Sequence, residues 1–354
     1  AYIPSPYLTG TVDEAVLRRR NIEANLEAQR GCNLRCTYCF YHKEMGRITY
    51  APVQRTIEEL AYVVSKGVKR VRFVDANFGS NLDQAKAIMR GILQAGFACK
   101  LMFELIPGFM DEELASLFGA FIQLHPGNAV TLGLGVQTIN FEVLKRLRRA
   151  IPLEAFERTF ALVERYGIYT KIDLIIGLPG EDLASIERTL EYMMEKLRHS
   201  RAHLLCPHVL RGLPGTELLS QSLAHNLIFS SQNEPHELIE SPLLPRRDML
   251  KCLRRTAVIF RLVNHEGWAD REYMSGRTNT DISVREAFFA TRSRLGLSNL
   301  GLVDRLIDRF IEHLAPRNSR FVQSDFPFAE TWWWNEARVE ISKAWIISGL
   351  NRLS

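Results

Sequence analysis

The sequence lacks any apolar run long enough to cross a membrane, since no stretch approaches about 18 uncharged apolar residues. It also lacks a block of five or six basic residues, and its 45 Lys and Arg against 40 Asp and Glu give a net charge of only +5. Neither a membrane nor a nucleic-acid partner is therefore expected. The N-terminus has no charged start followed by an apolar stretch, so a cytoplasmic location is expected.

Cysteine is scarce, with six residues in 354. Three of them lie singly in apolar surroundings, as buried small hydrophobic residues do: Cys99, Cys206 and Cys252. The other three, Cys32, Cys36 and Cys39, fall within RGCNLRCTYCF, residues 30–40. A disulfide would pair two of these and strand the third. In a reducing compartment such a cluster is more often a metal site than a disulfide framework.

Short apolar runs alternate with amphipathic helical patterns through the first two thirds of the chain. The six runs are 22–28, 71–75, 98–105, 129–137, 169–178 and 202–210. This alternation predicts a parallel sheet covered by helices. Periodicity does not distinguish a barrel from a doubly wound sheet, but in both folds functional residues gather where strands end. The cysteine segment directly follows the first run.

After about residue 225 the pattern changes to Arg-rich helices, which predicts a helical C-terminal domain. Segment 299–314 carries an apolar stripe on one helix face, formed by Leu302, Val303, Leu306, Ile307, Phe310 and Leu314. The predicted organisation is an N-terminal linker segment at 1–21, a core domain at 22–225 and a helical domain at 226–354.

Three thiolates within one short loop favour zinc or an iron-sulfur cluster, because both metals prefer soft sulfur ligands. A structural zinc ion needs a fourth ligand, which His42 could supply. A four-iron cluster held by three protein thiolates instead leaves one iron open to a small molecule. The spacing by itself leaves both interpretations open.

The Cys-x3-Cys-x2-Cys spacing, with an aromatic residue before the last cysteine, resembles the radical S-adenosylmethionine (radical SAM) superfamily. The resemblance extends from residue 22 to about 222 and implies a partial (βα)6 TIM-like barrel, here with a mostly helical C-terminal extension. It also implies that Cys32, Cys36 and Cys39 ligate a 4Fe–4S cluster whose open iron binds S-adenosylmethionine. Reductive cleavage then gives methionine and a 5′-deoxyadenosyl radical that attacks the substrate.

The resemblance further implies cofactor contacts at the strand ends. The candidate cofactor-binding residues are Tyr38, Phe40, Asp75, Asn77, Glu104, Gln137, Gly177 and Gly180. Relatives carry two glycines and a glutamate after the second strand, where this chain has VDANFGSN. Asp75, Asn77 or Ser80 could recognise the methionyl amine, and an Asx turn built by the first two is the structural alternative.

The remaining candidates follow or occupy later strands. Gln137 could hydrogen-bond the ligand, whereas capping of the next helix is favoured for Thr138 and Asn140. Glu104 is expected to meet a cation, either the ligand's ammonium or Lys171. The resemblance places Gly177 and Gly180 in a segment that packs against adenine, and a tight turn would also explain both glycines.

The first ten residues, AYIPSPYLTG, resemble the linker that joins a cobalamin-binding domain to the core in the B12-dependent branch. Residues 1–354 contain no Asp-x-His-x-x-Gly motif, so cobalamin is expected only as a candidate cofactor, whose domain was either removed or is not used. The expected function is a B12-branch methyltransferase or relative acting on a small metabolite. The alternatives are a B12-independent radical cyclase or rearrangement enzyme, and a non-catalytic Cys/His zinc module.

The expected partners are a small-molecule substrate and an electron donor such as flavodoxin or ferredoxin. No catalytic residue is assigned from the sequence. Weak candidates for substrate contact are Arg277 in RTNTD and Trp333 and Arg338 in AETWWWNEARVEIS. Core or interface packing is favoured for the three consecutive tryptophans, because three rings in a row cannot all face one way.

Overall fold

The computed structural model describes residues 4–41, 47–125, 130–199, 202–230, 236–264, 282–314 and 343–353. The strands in these ranges are β1 (Glu23–Leu26), β2 (Gln29–Arg30), β3 (Thr49–Tyr50), β4 (Arg70–Phe73), β5 (Lys100–Leu105), β6 (Val130–Gln137), β7 (Tyr169–Ile176), β8 (His203–Val209), β9 (Arg211–Gly212), β10 (Ile228–Phe229) and β11 (His236–Glu240). The helices in these ranges are α1 (Glu14–Leu17), α2 (Val53–Ser65), α3 (Leu82–Ala95), α4 (Glu112–Leu124), α5 (Phe141–Arg146), α6 (Leu153–Arg165), α7 (Leu183–Lys196), α8 (Glu217–Ser220), α9 (Arg246–Val263), α10 (Ile282–Leu295), α11 (Asn299–Leu314) and α12 (Lys343–Leu353).

Six strands form one sheet in the order β1-β4-β5-β6-β7-β8. The pairings β1 with β4, β4 with β5 and β5 with β6 are parallel, as helical crossovers between consecutive strands require. Five of the six apolar runs contain one of these strands, and the run 71–75 overlaps β4, which begins one residue earlier. The predicted α/β class is confirmed, with six parallel strands in one sheet as in a partial (βα)6 barrel, followed by a helical region.

The chain divides into two compact units. The first unit contains the described residues up to Val136 together with Arg148–Asp173. The second contains Gln137–Leu147 and the described residues from Leu174 onward. The domain boundaries predicted at residues 21 and 225 stay predictions.

The core of the first unit contains a cluster of phenylalanine rings. Phe73 of β4 stacks on Phe103 of β5 with ring centroids 4.6 Å apart, and Phe78 packs on the same ring at 4.4 Å. Asn81 caps α3 by accepting the Gln84 N–H. Helix capping and aromatic packing therefore fix the turn from β4 into α3, which is the segment that faces the cysteine loop.

In the second unit the predicted apolar stripe of α11 is buried at Leu302, Val303, Leu306 and Ile307. Arg255 of α9 joins this helix to α11, because its Nε and Nη2 each donate to a carboxylate oxygen of Asp304 at 2.7 Å.

The sequence did not predict the small sheet β10-β11-β9. Its strands are two to five residues long, too short to show a period-two pattern. No helix in the described ranges combines the length and the apolarity that crossing a membrane requires.

The turn from β4 to α3 tolerates no side chain at Gly79. A Cβ at this residue would lie 1.8 Å from the backbone oxygen of Phe109, so one backbone segment would have to move. Gly79→Ala is expected to lower the free energy of unfolding by about 3 kcal/mol. Urea denaturation of the full chain measures this loss.

The control for this substitution is Gly91→Ala in α3, where the added Cβ would meet only the flexible end of Ile57 at 2.9 Å. Alanine favours a helix by about 1 kcal/mol over glycine, so this variant should stay within about 1 kcal/mol of the parent protein. Equal urea midpoints for the two variants would contradict the close approach of Phe109.

Candidate metal centre

The cysteine loop is closed at its base by a short antiparallel pair. Gln29 pairs with Tyr50 and Arg30 with Thr49, so β2 leads into the loop and β3 leads out of it. The N–H of Ala51 also donates to the Ala28 carbonyl at 2.8 Å. The cysteine loop therefore leaves the main sheet directly after β1 and returns through β3, as its sequence position predicts.

The three loop cysteines are free thiols, with Cys36 buried and Cys32 and Cys39 half-buried. The N–H of Cys39 donates to the Cys36 carbonyl at 3.2 Å, and the N–H of Leu34 lies 3.4 Å from Sγ of Cys32. Burial raises the pKa of the Cys32 and Cys39 thiols. His42, the proposed fourth zinc ligand, lies outside the described residues.

The donor chemistry, three thiols on one loop, suits a four-iron cluster. Within the described residues, no three Cys, His, Asp or Glu side chains are grouped closely enough to hold one ion. A zinc ion needs each sulfur about 2.3 Å from one centre. In a four-iron cluster each cysteine ligates a different iron, so three thiols on one loop are suitable without converging on a point.

Arg149 lies beside the buried thiol and was not predicted from the sequence. Its Nη1 lies 3.8 Å from Sγ of Cys36, and its Nη2 donates to the Gly135 carbonyl. The Tyr38 hydroxyl is buried nearby, and burial raises its pKa. The sequence LKRLRRAIP contains four Arg and Lys residues, and nothing in it distinguishes the one that is buried.

Asp75 fixes the start of the cysteine loop. Its Oδ1 accepts the N–H groups of Ala28 at 2.8 Å and Gln29 at 2.6 Å. Its Oδ2 is buried without a partner. Burial raises the pKa of this carboxyl to about 7, although the two N–H donors oppose the rise. Asp75 thus joins the end of β4 to the end of β1 and does not form the local Asx turn.

Asn77 makes a second connection to the same loop. Its Nδ2 donates to Oδ1 of Asn33 inside the loop at 3.3 Å, and its Oδ1 accepts the N–H of Ile106 after β5 at 3.1 Å. The hydroxyl of Ser80 donates to the side chain of Gln29. Asp75, Asn77 and Ser80, the three candidates after the second strand, are therefore brought together against the loop, where they position it.

Glu104 lies on β5 opposite Gly133 of β6. A Cβ on Gly133 would lie 2.1 Å from Oε2 of Glu104, so the glycine makes room for the carboxylate. Burial raises the pKa of Glu104, and the positive charge of Lys171 opposes this. Nζ of Lys171 donates to Asp173 at 3.0 Å, and direct pairing of Glu104 with Lys171 or with a ligand's ammonium stays a prediction.

Gln137 belongs to the second unit and has a positive φ of 71°, which is uncommon for a residue other than glycine. Its side-chain oxygen is buried without a partner. Asn140 caps α5 by accepting the N–H of Val143 at 3.3 Å, as predicted. Thr138 precedes this cap: its hydroxyl donates to Oε1 of Glu181 at 2.7 Å and accepts the N–H of Asn140 at 3.1 Å.

Glu181 was missed by the sequence analysis, although it follows the glycine turn GLPG. The side chain is 1% exposed, and its Oε1 also accepts the Ser185 hydroxyl at 3.1 Å. Its Oε2 has no partner, and burial raises the pKa of the carboxyl to about 7. The available signal was an acidic residue shortly after the end of β7, one helical turn before Ser185.

Gly177 and Gly180 both adopt positive φ, 92° and 95°. A Cβ on Gly177 would lie 2.7 Å from the Leu238 side chain, so packing within the second unit is enough to require glycine there. Their predicted adenine contact stays a prediction.

The side chain of Phe40, another candidate cofactor-binding residue, is 41% exposed, and its contact with the cofactor stays a prediction. The weak substrate candidates Arg277, Trp333 and Arg338 lie outside the described residues.

The comparison with known families agrees with this arrangement. Residues 26–193 match the family described as the Radical SAM superfamily. This part of the chain is therefore a radical SAM domain, and it includes the cysteine loop, Asp75, Asn77 and Arg149. Members of this family use a 4Fe–4S cluster and S-adenosylmethionine.

The similar proteins fall into two groups, a tRNA methylthiotransferase found by sequence and two radical SAM enzymes found by structure. The chain is 28% identical over 207 residues to threonylcarbamoyladenosine tRNA methylthiotransferase MtaB of Thermotoga maritima, covering 54% of this chain and 45% of that protein. Among solved structures, the radical SAM methyltransferase TsrM of Kitasatospora setae has a TM-score of 0.51 at 20% identity, covering 61% of this chain and 42% of that one. The cobalamin-dependent radical enzyme OxsB has a TM-score of 0.55 at 11% identity, covering 92% and 59%.

The chain spans about half the length of the curated relatives it matches, with 45%, 46% and 60% for three of them. At these identities the structural similarity concerns the fold. The relatives are enzymes, including methyltransferases and methylthiotransferases.

Glu181 makes the stability of the protein depend on pH. Its folded-state pKa of about 7 lies above that of an ordinary glutamate, about 4.3, so the folded protein keeps a proton that the unfolded chain has released. This contribution is fully present below pH 4 and is lost as the pH rises to 7. Relative to Glu181→Gln, the parent protein should lose on the order of 2 kcal/mol between pH 5 and 7.

Urea denaturation at several pH values measures the difference between the two proteins. Glu286→Gln, which removes an exposed carboxyl on α10, is the control and should follow the parent protein at every pH. A constant difference between the parent protein and Glu181→Gln from pH 5 to 8 would show that the buried carboxyl does not titrate in this window.

Proposed function

We propose that this protein is a radical SAM enzyme that modifies a small metabolite, and that it is a B12-branch methyltransferase or a relative of one. The observation that carries the proposal is a loop with three free thiols, placed directly after β1 and tied to the ends of β4 and β5 by Asp75 and Asn77. A radical SAM domain in residues 26–193 supports the same assignment.

Cys32, Cys36 and Cys39 would hold a 4Fe–4S cluster and leave one iron without a protein ligand. The cluster and bound S-adenosylmethionine supply the low-potential electron and the sulfonium bond from which a 5′-deoxyadenosyl radical is made. Asp75 and Asn77 keep the start of the loop at the strand ends. Cofactor contacts by Tyr38, Phe40, Asp75, Asn77, Glu104, Gln137, Gly177 and Gly180 are part of the proposal.

A charged face of the sheet favours a polar substrate. Arg72 of β4 donates to Glu23 of β1 at 2.8 Å on this face. The positive charge of Lys171 on β7 lowers the pKa of Glu104 on β5, against the effect of burial. These side chains are partly buried, so their charges are less screened than those on the surface. A small metabolite with an ammonium or a carboxylate group would find complementary charge here.

The methyltransferase assignment rests on likeness to the cobalamin-associated branch. The OxsB similarity extends over 92% of this chain and so includes residues beyond the radical SAM domain. A flavodoxin or ferredoxin would supply the electron. A B12-independent cyclase or rearrangement enzyme is the alternative within the same chemistry.

A second candidate is modification of a nucleic acid, because several relatives are named as tRNA methylthiotransferases or synthases. The modest net charge of +5 and the lack of a basic block favour a small metabolite instead.

The cysteine assignment is tested by substituting the loop thiols together. After anaerobic reconstitution with iron and sulfide, the parent protein should bind about four iron atoms, one 4Fe–4S cluster. Under reducing conditions it should release 5′-deoxyadenosine and methionine from S-adenosylmethionine. The triple variant Cys32→Ala, Cys36→Ala, Cys39→Ala should bind no cluster and release neither product. The single variant Cys99→Ala, which removes a buried thiol outside the loop, should bind iron as the parent does.

Product analysis then separates the alternatives. S-adenosylhomocysteine formed only with added cobalamin supports methyl transfer, and 5′-deoxyadenosine with no S-adenosylhomocysteine, whether or not cobalamin is added, supports the cyclase or rearrangement class. A methylthio group on added tRNA would favour the second candidate. One zinc per chain with no bound iron after anaerobic purification would support the zinc module and overturn the proposal.

A further inference from the structure

We propose that Arg149 raises the reduction potential of the cluster held by Cys32, Cys36 and Cys39, acting through the sulfur of Cys36. The inference rests on the proposed function, because it requires the cluster to be bound at these thiols. Arg149 is a positioning residue in this account, since it acts on the cluster through a ligand.

The guanidinium is placed by contacts on two sides. Nη2 donates to the carbonyl of Gly135 on β6, and Nη1 lies 3.8 Å from Sγ of Cys36, within hydrogen-bonding distance of a sulfur acceptor. The residue is 6% exposed, and its Nε–H is buried without a partner. The rigid fork of the guanidinium allows both contacts at the same time.

The charge of Arg149 is unusual for so buried a residue. Arginine stays protonated in proteins, and a buried charge is costly unless an opposite charge lies close to it. Within the described ranges no carboxylate pairs with this guanidinium, and its contacts are the Gly135 carbonyl and the Cys36 sulfur. A thiolate-ligated cluster would supply the missing negative charge.

Reduction adds one electron to the cluster and forms or breaks no bond, so the cluster becomes more negative by one charge. A fixed positive charge in a buried site stabilises that reduced form more than the oxidised form. Hydrogen bonds to the sulfurs also tune cluster potentials. Both effects of Arg149 act in the same direction, toward a higher potential and easier reduction.

The test is a redox titration of the reconstituted full chain with dithionite and mediators, followed by EPR. In Arg149→Gln the ratio of reduced to oxidised cluster at a fixed potential should fall at least tenfold, which is a downward shift of about 59 mV for one electron. Arg149→Lys keeps the charge but loses the fork, so it should shift in the same direction by less. Arg158→Gln, which removes an exposed charge on α6, should leave the ratio within twofold of the parent.

A second measurement on the parent protein does not depend on the folding of any variant. With arginine labelled by ¹⁵N in the guanidinium, pulsed EPR of the reduced cluster should detect a ¹⁵N coupling, and Arg149→Lys should abolish it. The inference is overturned by an Arg149→Gln protein with full iron content and the parent potential, or by a labelled parent protein without ¹⁵N coupling. Absence of a cluster in the parent protein would instead overturn the proposed function.

Discussion

A single buried carboxylate oxygen determines where the cysteine loop begins. Oδ1 of Asp75 accepts two successive backbone N–H groups, those of Ala28 and Gln29, just before the loop leaves the sheet. These bonds join the ends of two adjacent parallel strands, so the loop cannot slide along the strand edge without losing both. Asn77 adds a bond to Asn33 inside the loop. The positions of all three thiols depend on these contacts.

The same contacts explain the buried polar side chains of the first unit. An isolated buried carboxylate or amide is costly, and here most of the hydrogen-bonding groups are used to hold irregular backbone at the strand ends. Backbone N–H groups that would otherwise lack partners in the loop are satisfied in this way. The small size of Gly79 allows the turn that carries Asn77 to approach Phe109.

The strands and helices were predictable because each carries its own local signal. The apolar run 129–137 contains β6, and the amphipathic segment 299–314 is α11 over the same residues. The cysteine cluster was predictable because its spacing is local as well. Arg149 and Glu181 were not, because their burial depends on contacts with residues more than 40 positions away. Strand β11 was missed because a five-residue strand carries almost no periodic signal.

Sequence also could not decide what Asp75 does. A polar residue after a strand predicts either a local turn or a ligand contact, and the observed role is a third one, in which the side chain holds a segment 46 residues earlier. Long-range hydrogen bonds of this kind leave no pattern in a single sequence. They arise only when the parallel sheet brings the ends of β1 and β4 side by side.

In the proposed site, three protein thiolates would leave one iron of the cluster open to the amine and carboxylate of S-adenosylmethionine. ENDOR spectroscopy of the reduced protein, with S-adenosylmethionine labelled by ¹⁵N at its amine, tests this most directly. We expect a strong ¹⁵N coupling that disappears when unlabelled cofactor replaces the labelled one. An intact, reducible cluster that shows no such coupling with saturating cofactor would contradict it.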